Sequence, residues 1–311
     1  MSNVLIIKHG SLGDLIQANG AMEDIKNSFK NSKILLLTAS PYAYLMSHCP
    51  YLDGVLIDKR LPRWNFFYLH NLKKLLTKYN FTHVFDLQNS SRTKFYKKFL
   101  LPKPIWSSTE TSLEPGQKKK DFDEEPVLER MAIQLEKSGV KTNKINHVNL
   151  SWSFVNVEKI IKQHTSGEYI LIFPFCSKKH LKKKWPFFKQ LVNKFKQLYK
   201  NRYSVLVIPG PGETEEAKSF NAKVVLNEDN EPVNLNYLIT LIENSSYVIS
   251  NDTGPAHITS HLNKKGLVLF GSHTSAKKVS IQTDKFKALT SKKLSDLTVD
   301  KVMDEVQKNL N

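Results

Sequence analysis

Val4-Leu5-Ile6-Ile7-Lys8-His9-Gly10-Ser11-Leu12-Gly13-Asp14 is the stretch that decides the fold. Four consecutive apolar side chains, three of them branched at the β-carbon, read as a strand buried on both faces, the mark of a parallel sheet. A turn with two glycines follows, and residues 15–29 then carry helical spacing. In an open parallel sheet ligands bind beyond the carboxyl ends of the strands, so this strand-to-helix turn predicts a site. Gly10 and Gly13 permit close backbone approach, but their spacing is not the three-glycine dinucleotide fingerprint. Asp14 stands in the first helical turn, where the helix dipole favours a carboxylate. That position suits chemistry and suits mere support of the helix equally well.

The same alternation continues outward. Residues 34–37, 55–57 and 83–86 read as strands and residues 66–79 as a helix. Over residues 101–126 the period breaks down, with Pro102, Pro104, Pro115 and Gly116, which predicts a long exposed loop able to cover a ligand or acceptor. After a helical stretch at 127–138 the pattern restarts: strands at 169–173, 204–208, 224–226, 247–250 and 266–270, helices at 186–199, 235–243 and 255–262, and a last helix at 299–310 capped by Thr298. Two successive β/α halves joined near residues 150–168 predict an α/β protein of two doubly wound domains, residues 1–155 and 156–311, facing each other across a cleft.

Composition bounds the function. The 311 residues are 40% hydrophobic and 24% charged, which excludes disordered and collagen-like chains. Cys49 and Cys176 lie far apart and fit neither a disulfide framework nor a zinc site, as expected for a reducing cytoplasm. No apolar run approaches a membrane span or a signal-peptide core. The net charge of +17 calls for an anionic partner: nucleic acid, anionic lipid or a phosphorylated small molecule. The lysines are dispersed, with runs at 118–120 and 178–184, and no aromatic RNA-binding signature accompanies them, so nucleic acid is not the expected partner.

Three further segments carry candidate chemistry. Ser250-Asn251-Asp252-Thr253-Gly254-Pro255-Ala256-His257 follows a strand and opens a helix, with proline in the first turn. Such a helix start binds anions through its free N–H groups, and a well-capped turn is also what a purely structural helix start would show. Lys178 to Pro186 brings lysines to a strand-to-helix turn, and Lys183, just ahead of Trp185-Pro186, is the candidate for a diphosphate. Pro209-Gly210-Pro211-Gly212-Glu213 follows another strand, where a carboxylate can accept ribose hydroxyls or simply start an acidic helix.

Taken together these four segments resemble glycosyltransferase family 9, the ADP-heptose lipopolysaccharide heptosyltransferases, over most of the chain. The most specific parts are Gly13-Asp14, Lys183-Lys184-Trp185-Pro186, and Asp252-Thr253-Gly254-Pro255-x-His257 followed by Phe270-Gly271. The resemblance implies the GT-B arrangement of two Rossmann-like domains, acceptor bound by the N-terminal half and nucleotide sugar by the C-terminal half. It also implies an inverting transfer from ADP-heptose to a lipid-linked anionic core saccharide, with no metal and no cofactor, in the cytoplasm or at the inner face of the cytoplasmic membrane, where a basic surface suits anionic lipid. A family member with another nucleotide sugar or acceptor, and a noncatalytic nucleotide- or polyanion-binding protein, are the alternatives.

Residue by residue, Asp14 matches the general base, a role a carboxylate fills because it is ionised at neutral pH. Lys183, Thr253 and Gly254 match diphosphate-binding positions that stabilise the departing ADP. Glu213, or else Glu215, matches the ribose-binding acid, and Asp252 and His257 match positions shaping the donor pocket. On the acceptor side stand Gly13 and the basic residues Arg60, Arg63 and Arg92; as arginines they equally suit a solvated surface. Two positions depart from the family pattern: Phe175 where glycine follows Pro174, which implies a narrowed donor loop, and Gly20 where proline is frequent.

Overall fold

Val4, Leu5, Ile6 and Ile7 are all fully buried in the computed structural model, which describes residues 2–200 and 202–310. Burial on both faces is what an inner parallel strand requires, and it accounts for the unbroken apolar run. The chain divides into two units, Met1–Trp152 and Ser153–Asn311.

In the first unit, β1 (Ser2–Ile7), β2 (Ser32–Thr38), β3 (Gly54–Ile57), β4 (Phe81–Asp86) and β5 (Ile105–Ser107) form one sheet in the order β3-β2-β1-β4-β5. All pairings are parallel. The chain winds outward from β1 to β3 and then returns to lay β4 on the other side of β1. The winding direction switches there, and a doubly wound sheet opens its ligand crevice beyond the carboxyl ends of those two strands. Leu5, Ile7, Leu35 and Leu37 share a core cluster with Leu69, Leu72 and Leu76 of helix Phe66–Thr77 and with Tyr96 of helix Ser91–Phe99. Truncating one of these leucines to alanine would cost about 2–5 kcal/mol.

Two expectations are corrected here. The single helix over 15–29 is two, Leu12–Gln17 and Asn19–Ser28, broken at Ala18. Gly20 sits where a β-carbon would overlap the Lys144 carbonyl, so glycine lets the second helix close on that segment. Asp24 then accepts the Asn143 and Lys144 amides at 3.0 Å. The stretch over 101–126 is exposed at more than half of its residues, as expected, but it is not a structureless loop. It contributes β5 and the short helices Thr109–Ser112 and Lys119–Phe122, and it buries Trp106, Ser107, Ser112 and Phe122. Trp106 supplies the reason: its ring enters the core cluster while its indole N–H donates to the Leu101 carbonyl at 2.9 Å.

In the second unit, β6 (Tyr169–Phe173), β7 (Ser204–Val207), β8 (Lys223–Val224), β9 (Tyr247–Asn251), β10 (Gly266–Phe270) and β11 (Phe286–Thr290) form a sheet ordered β11-β10-β9-β6-β7-β8. It too is wholly parallel, and this is the Rossmann order. Its switch lies between β6 and β9. The last helix, Val299–Leu310, buries Val302, Met303 and Val306 in the same core as Phe188, Leu191 and Phe195 of helix Phe188–Tyr199. Thr298 caps it, its hydroxyl accepting the Lys301 amide at 3.3 Å. Strand β11 carries no marker in the sequence reading, because only one of its five residues is buried.

Candidate active site

The first site is built on the β1 and β4 carboxyl ends. Lys8 is buried, and its ammonium donates to the Leu87 carbonyl at 2.8 Å, while the His9 amide donates to Gln88 Oε1 at 2.9 Å. These bonds tie together the two loops that flank the switch. Burial pulls the Lys8 ammonium below its usual range, against the opposing charges of Asp14 and Asp86. Beside them an open cavity of about 180 Å³ is lined by Lys8, Asp14, Gln88, Asn89, Arg130 and Gln134, among others. The segment once expected as a loop reaches this cavity through Thr109.

Asp14 stands at the third position of helix Leu12–Gln17, where its Oδ2 accepts the Ser11 amide at 2.8 Å and the Ser11 hydroxyl at 2.7 Å. The carboxylate therefore caps its own helix and borders the cavity at once. Gly10, with φ +119°, aims the preceding turn; a β-carbon there would overlap the Tyr42 ring. Below the turn His9 Nε2 lies 2.8 Å from Asp58 Oδ2, and Asp58 also accepts Tyr68, Tyr96 at 2.7 Å and the Arg60 amide at 2.7 Å. Burial alone would raise the Asp58 carboxyl, but the hydrogen bonds from His9, Tyr68 and Tyr96 outweigh it and hold it well below the usual carboxylate range. Nothing in the sequence pattern joins these four side chains.

The acceptor-side arginines expected from the sequence do not line this cavity; they bond to one another's segments beside Tyr96. Arg92 donates to the Leu61 carbonyl at 3.0 Å, to Tyr96 at 3.2 Å and to the Arg60 carbonyl at 3.4 Å. Arg63 donates to the Ser91 carbonyl at 3.4 Å, with its guanidinium 5.7 Å from the Phe95 ring centre. Arg92 thus fixes the segment that presents Arg60 and Arg63.

The second site forms where β6 and β9 end. The Asn251 amide group donates to the Pro174 carbonyl at 2.9 Å, and its oxygen accepts the Trp185 backbone N–H at 3.0 Å. Trp185 is 1% exposed and donates its indole N–H to Leu297 at 2.9 Å. The Lys-x-Trp-Pro motif is therefore an anchor that sets Lys183 against Asp252, 2.6 Å away. Asp252 also meets His273 at 2.9 Å and His257 at 3.8 Å. Burial would raise the Asp252 carboxyl; Lys183, ahead of the two histidines, reverses that and lowers it.

Thr253 precedes helix Gly254–His261, with Pro255 in the first turn, so the leading amides have no acceptor within the helix. Glu213 folds back to accept the Gly210 amide at 2.7 Å, and burial raises its carboxyl above the ordinary range. Glu215 points to water and pairs with Lys218. Phe175 packs its ring edge-on to Phe220 in the core, 7% exposed. His273, stacked on Phe270, was missed by sequence reasoning: it lies outside any motif, and only the fold brings it to Asp252.

Both sites lie at a sheet's topological switch, each with a carboxylate, a lysine and a glycine turn. Among the described residues no group of three or more His, Cys, Asp or Glu is arranged to hold a metal ion, and no helix is long and apolar enough to cross a membrane. No curated protein matches the chain in sequence. Solved structures do match. The E. coli heptosyltransferase WaaC with ADP-2-deoxy-2-fluoro heptose aligns with a TM-score of 0.72 at 17% identity, over 99% of both chains. E. coli ADP-heptose lps heptosyltransferase II gives 0.73 at 17% identity, over 100% of this chain and 98% of that one. A glycosyl transferase family 9 protein of Veillonella parvula gives 0.79 at 15% identity, over 99% and 97%. These likenesses show the GT-B fold expected from the sequence. The family model for glycosyltransferase family 9 (heptosyltransferase) matches residues 69–299. With both switch-point sites in place, the chain belongs to glycosyltransferase family 9 and is a glycosyltransferase.

Proposed function

We propose that this chain moves a heptosyl group from ADP-heptose to a sugar hydroxyl of the lipopolysaccharide inner core, with inversion and without a metal. The observation that carries the reading is Asp14: a carboxylate fixed by Ser11 at the rim of an open cavity, beside the switch of the first sheet. As the acceptor oxygen attacks the anomeric carbon, its proton passes to Asp14; the carbon–oxygen bond to the diphosphate breaks with its electron pair leaving on ADP. Lys183, Thr253 and Gly254 offer an ammonium, a hydroxyl and helix-start amides to that developing charge, the means by which transfer proceeds without a metal. Asp252 and His257 shape the donor pocket, and Glu213, half-buried beside Gly210, is the acid for the ribose in preference to exposed Glu215.

By this reading residues 1–155 take the acceptor and residues 156–311 the donor. Gly13, Arg60 and Arg63 face the anionic saccharide, Arg92 holds their segment, and the acceptor is lipid-linked at the cytoplasmic face of the membrane. WaaC's solved complex with an ADP-heptose analogue supports ADP as the nucleotide. Calorimetric titration with ADP, UDP, GDP and NAD tests it. Selective ADP binding is expected; preference for another diphosphate moves the donor, and no nucleotide binding at all overturns the reading.

A further inference from the structure

Trp64, Phe66 and Phe67 are 75%, 80% and 78% exposed, all within four residues of one another in the first unit. Three neighbouring aromatics this exposed are an unfavourable surface for a protein that stays in water. They are not on a loose loop. Asn65 caps helix Phe66–Thr77, its side chain accepting the Tyr68 amide at 2.9 Å, so both phenylalanines sit in a fixed first turn. Upstream, Arg60 is bonded to Asp58, Arg92 grips the Arg60 and Leu61 carbonyls, and Arg63 is bonded to Ser91.

The surroundings are cationic. Residues 60–67 and 91–99 contain Arg60, Arg63, Arg92, Lys94, Lys97 and Lys98 and no acidic residue. Glu110 neutralises only Lys94. Along helix Ser91–Phe99 the cations flank half-exposed Phe99, with the Lys98 ammonium 5.2 Å from its ring centre, and line an open hollow of about 570 Å³. Aromatic rings presented amid lysine and arginine match the boundary between lipid headgroups and acyl chains. A second copy of this face would bring like charges together, and the phenyl rings carry no group with which to read a polar partner.

We infer that this surface docks the enzyme on a bilayer with anionic phosphate headgroups, Trp64, Phe66 and Phe67 entering the headgroup–acyl boundary and Lys97 and Lys98 meeting the phosphates. The inference deepens the proposed function by assigning the membrane contact to particular residues, and it rests on a lipid-linked acceptor.

The test uses the full chain, with neither donor nor acceptor, and vesicles of phosphatidylcholine with or without phosphatidylglycerol. Co-sedimentation with the anionic vesicles is expected, together with a blue shift of tryptophan emission and quenching by brominated acyl chains. Trp64 is the reporter once Trp152, which is half-buried, is replaced by phenylalanine, since Trp106 and Trp185 are buried. Substituting Trp64→Ser, Phe66→Ser and Phe67→Ser together, with circular dichroism verifying the fold, should weaken partition at least ~10-fold. Lys97→Gln with Lys98→Gln should weaken it in the same direction while leaving the aromatics in place. Failure of the wild type to bind anionic vesicles, or equal binding by the triple variant, overturns the inference. So does self-association or oligonucleotide capture that the triple substitution removes while vesicle binding stays. Because no nucleotide is present, loss of ADP selectivity in calorimetry would strike the proposed reaction and leave vesicle docking standing.

Discussion

The Lys183 ammonium lies 2.6 Å from a carboxylate oxygen of Asp252, across 69 residues of sequence. The pair bridges the loops that follow β6 and β9, so the proposed diphosphate site would offer a cation already held in place. Replacing Lys183 by alanine should weaken ADP binding about 10- to 100-fold, the worth of a charge-assisted hydrogen bond. Asp252→Asn should weaken it in the same direction by releasing Lys183. Calorimetry reads both, and unchanged affinity for Lys183→Ala would remove that residue from the site.

Asp14→Asn keeps the shape of the side chain and one acceptor oxygen for Ser11, so the variant should fold and bind ADP as the wild type does. Turnover should fall at least ~100-fold, the usual contribution of a positioned base. Undiminished turnover in a folded variant would end the case for Asp14 as the base.

Two glycines are required for different reasons. Gly10→Ala forces a β-carbon onto a residue at φ +119° and against Tyr42, and should cost about 1–3 kcal/mol from backbone strain alone. Gly20→Ala sets a methyl against the Lys144 carbonyl and should also lower stability. Urea unfolding midpoints measure both; midpoints equal to wild type would contradict these close approaches.

Asp58 gives the first unit an acid-sensitive support. Its folded-state pKa is depressed, so the stabilisation is complete above the unfolded carboxyl value near about 3.9 and fades as pH falls toward the lower folded value. Asp58→Asn should be less stable than wild type at pH 7, and the gap should narrow below about pH 4. Thermal melts at pH 7, 5 and 3 would show it, and a gap independent of pH would mean that Asp58 is not a depressed carboxylate.

The fold was legible because inner parallel strands bury both faces, leaving apolar runs such as Tyr169–Phe173 that no helix or loop interrupts. Edge strands hid. β5 is three residues long inside a proline-rich stretch, and β11 is mostly half-exposed, so neither carries that run. In the sites, the legible residues were those whose chemistry is local: a glycine turn, a proline at a helix start, a lysine before a buried tryptophan. His273 and the His9–Asp58–Tyr68–Tyr96 cluster were illegible because distant strands bring their members together, and no spacing records that.

The order of the first sheet also sets a schedule for the ribosome. β1 lies between β2 and β4, Lys8 finds Leu87 only 79 residues later, and Asp24 finds the Asn143 and Lys144 amides 119 and 120 residues later. At about 5–20 residues per second, the earliest-made strand waits on the order of ten seconds before its neighbours and their clasp have all emerged. Until then Val4 to Ile7, fully buried in the finished protein, is accessible apolar chain.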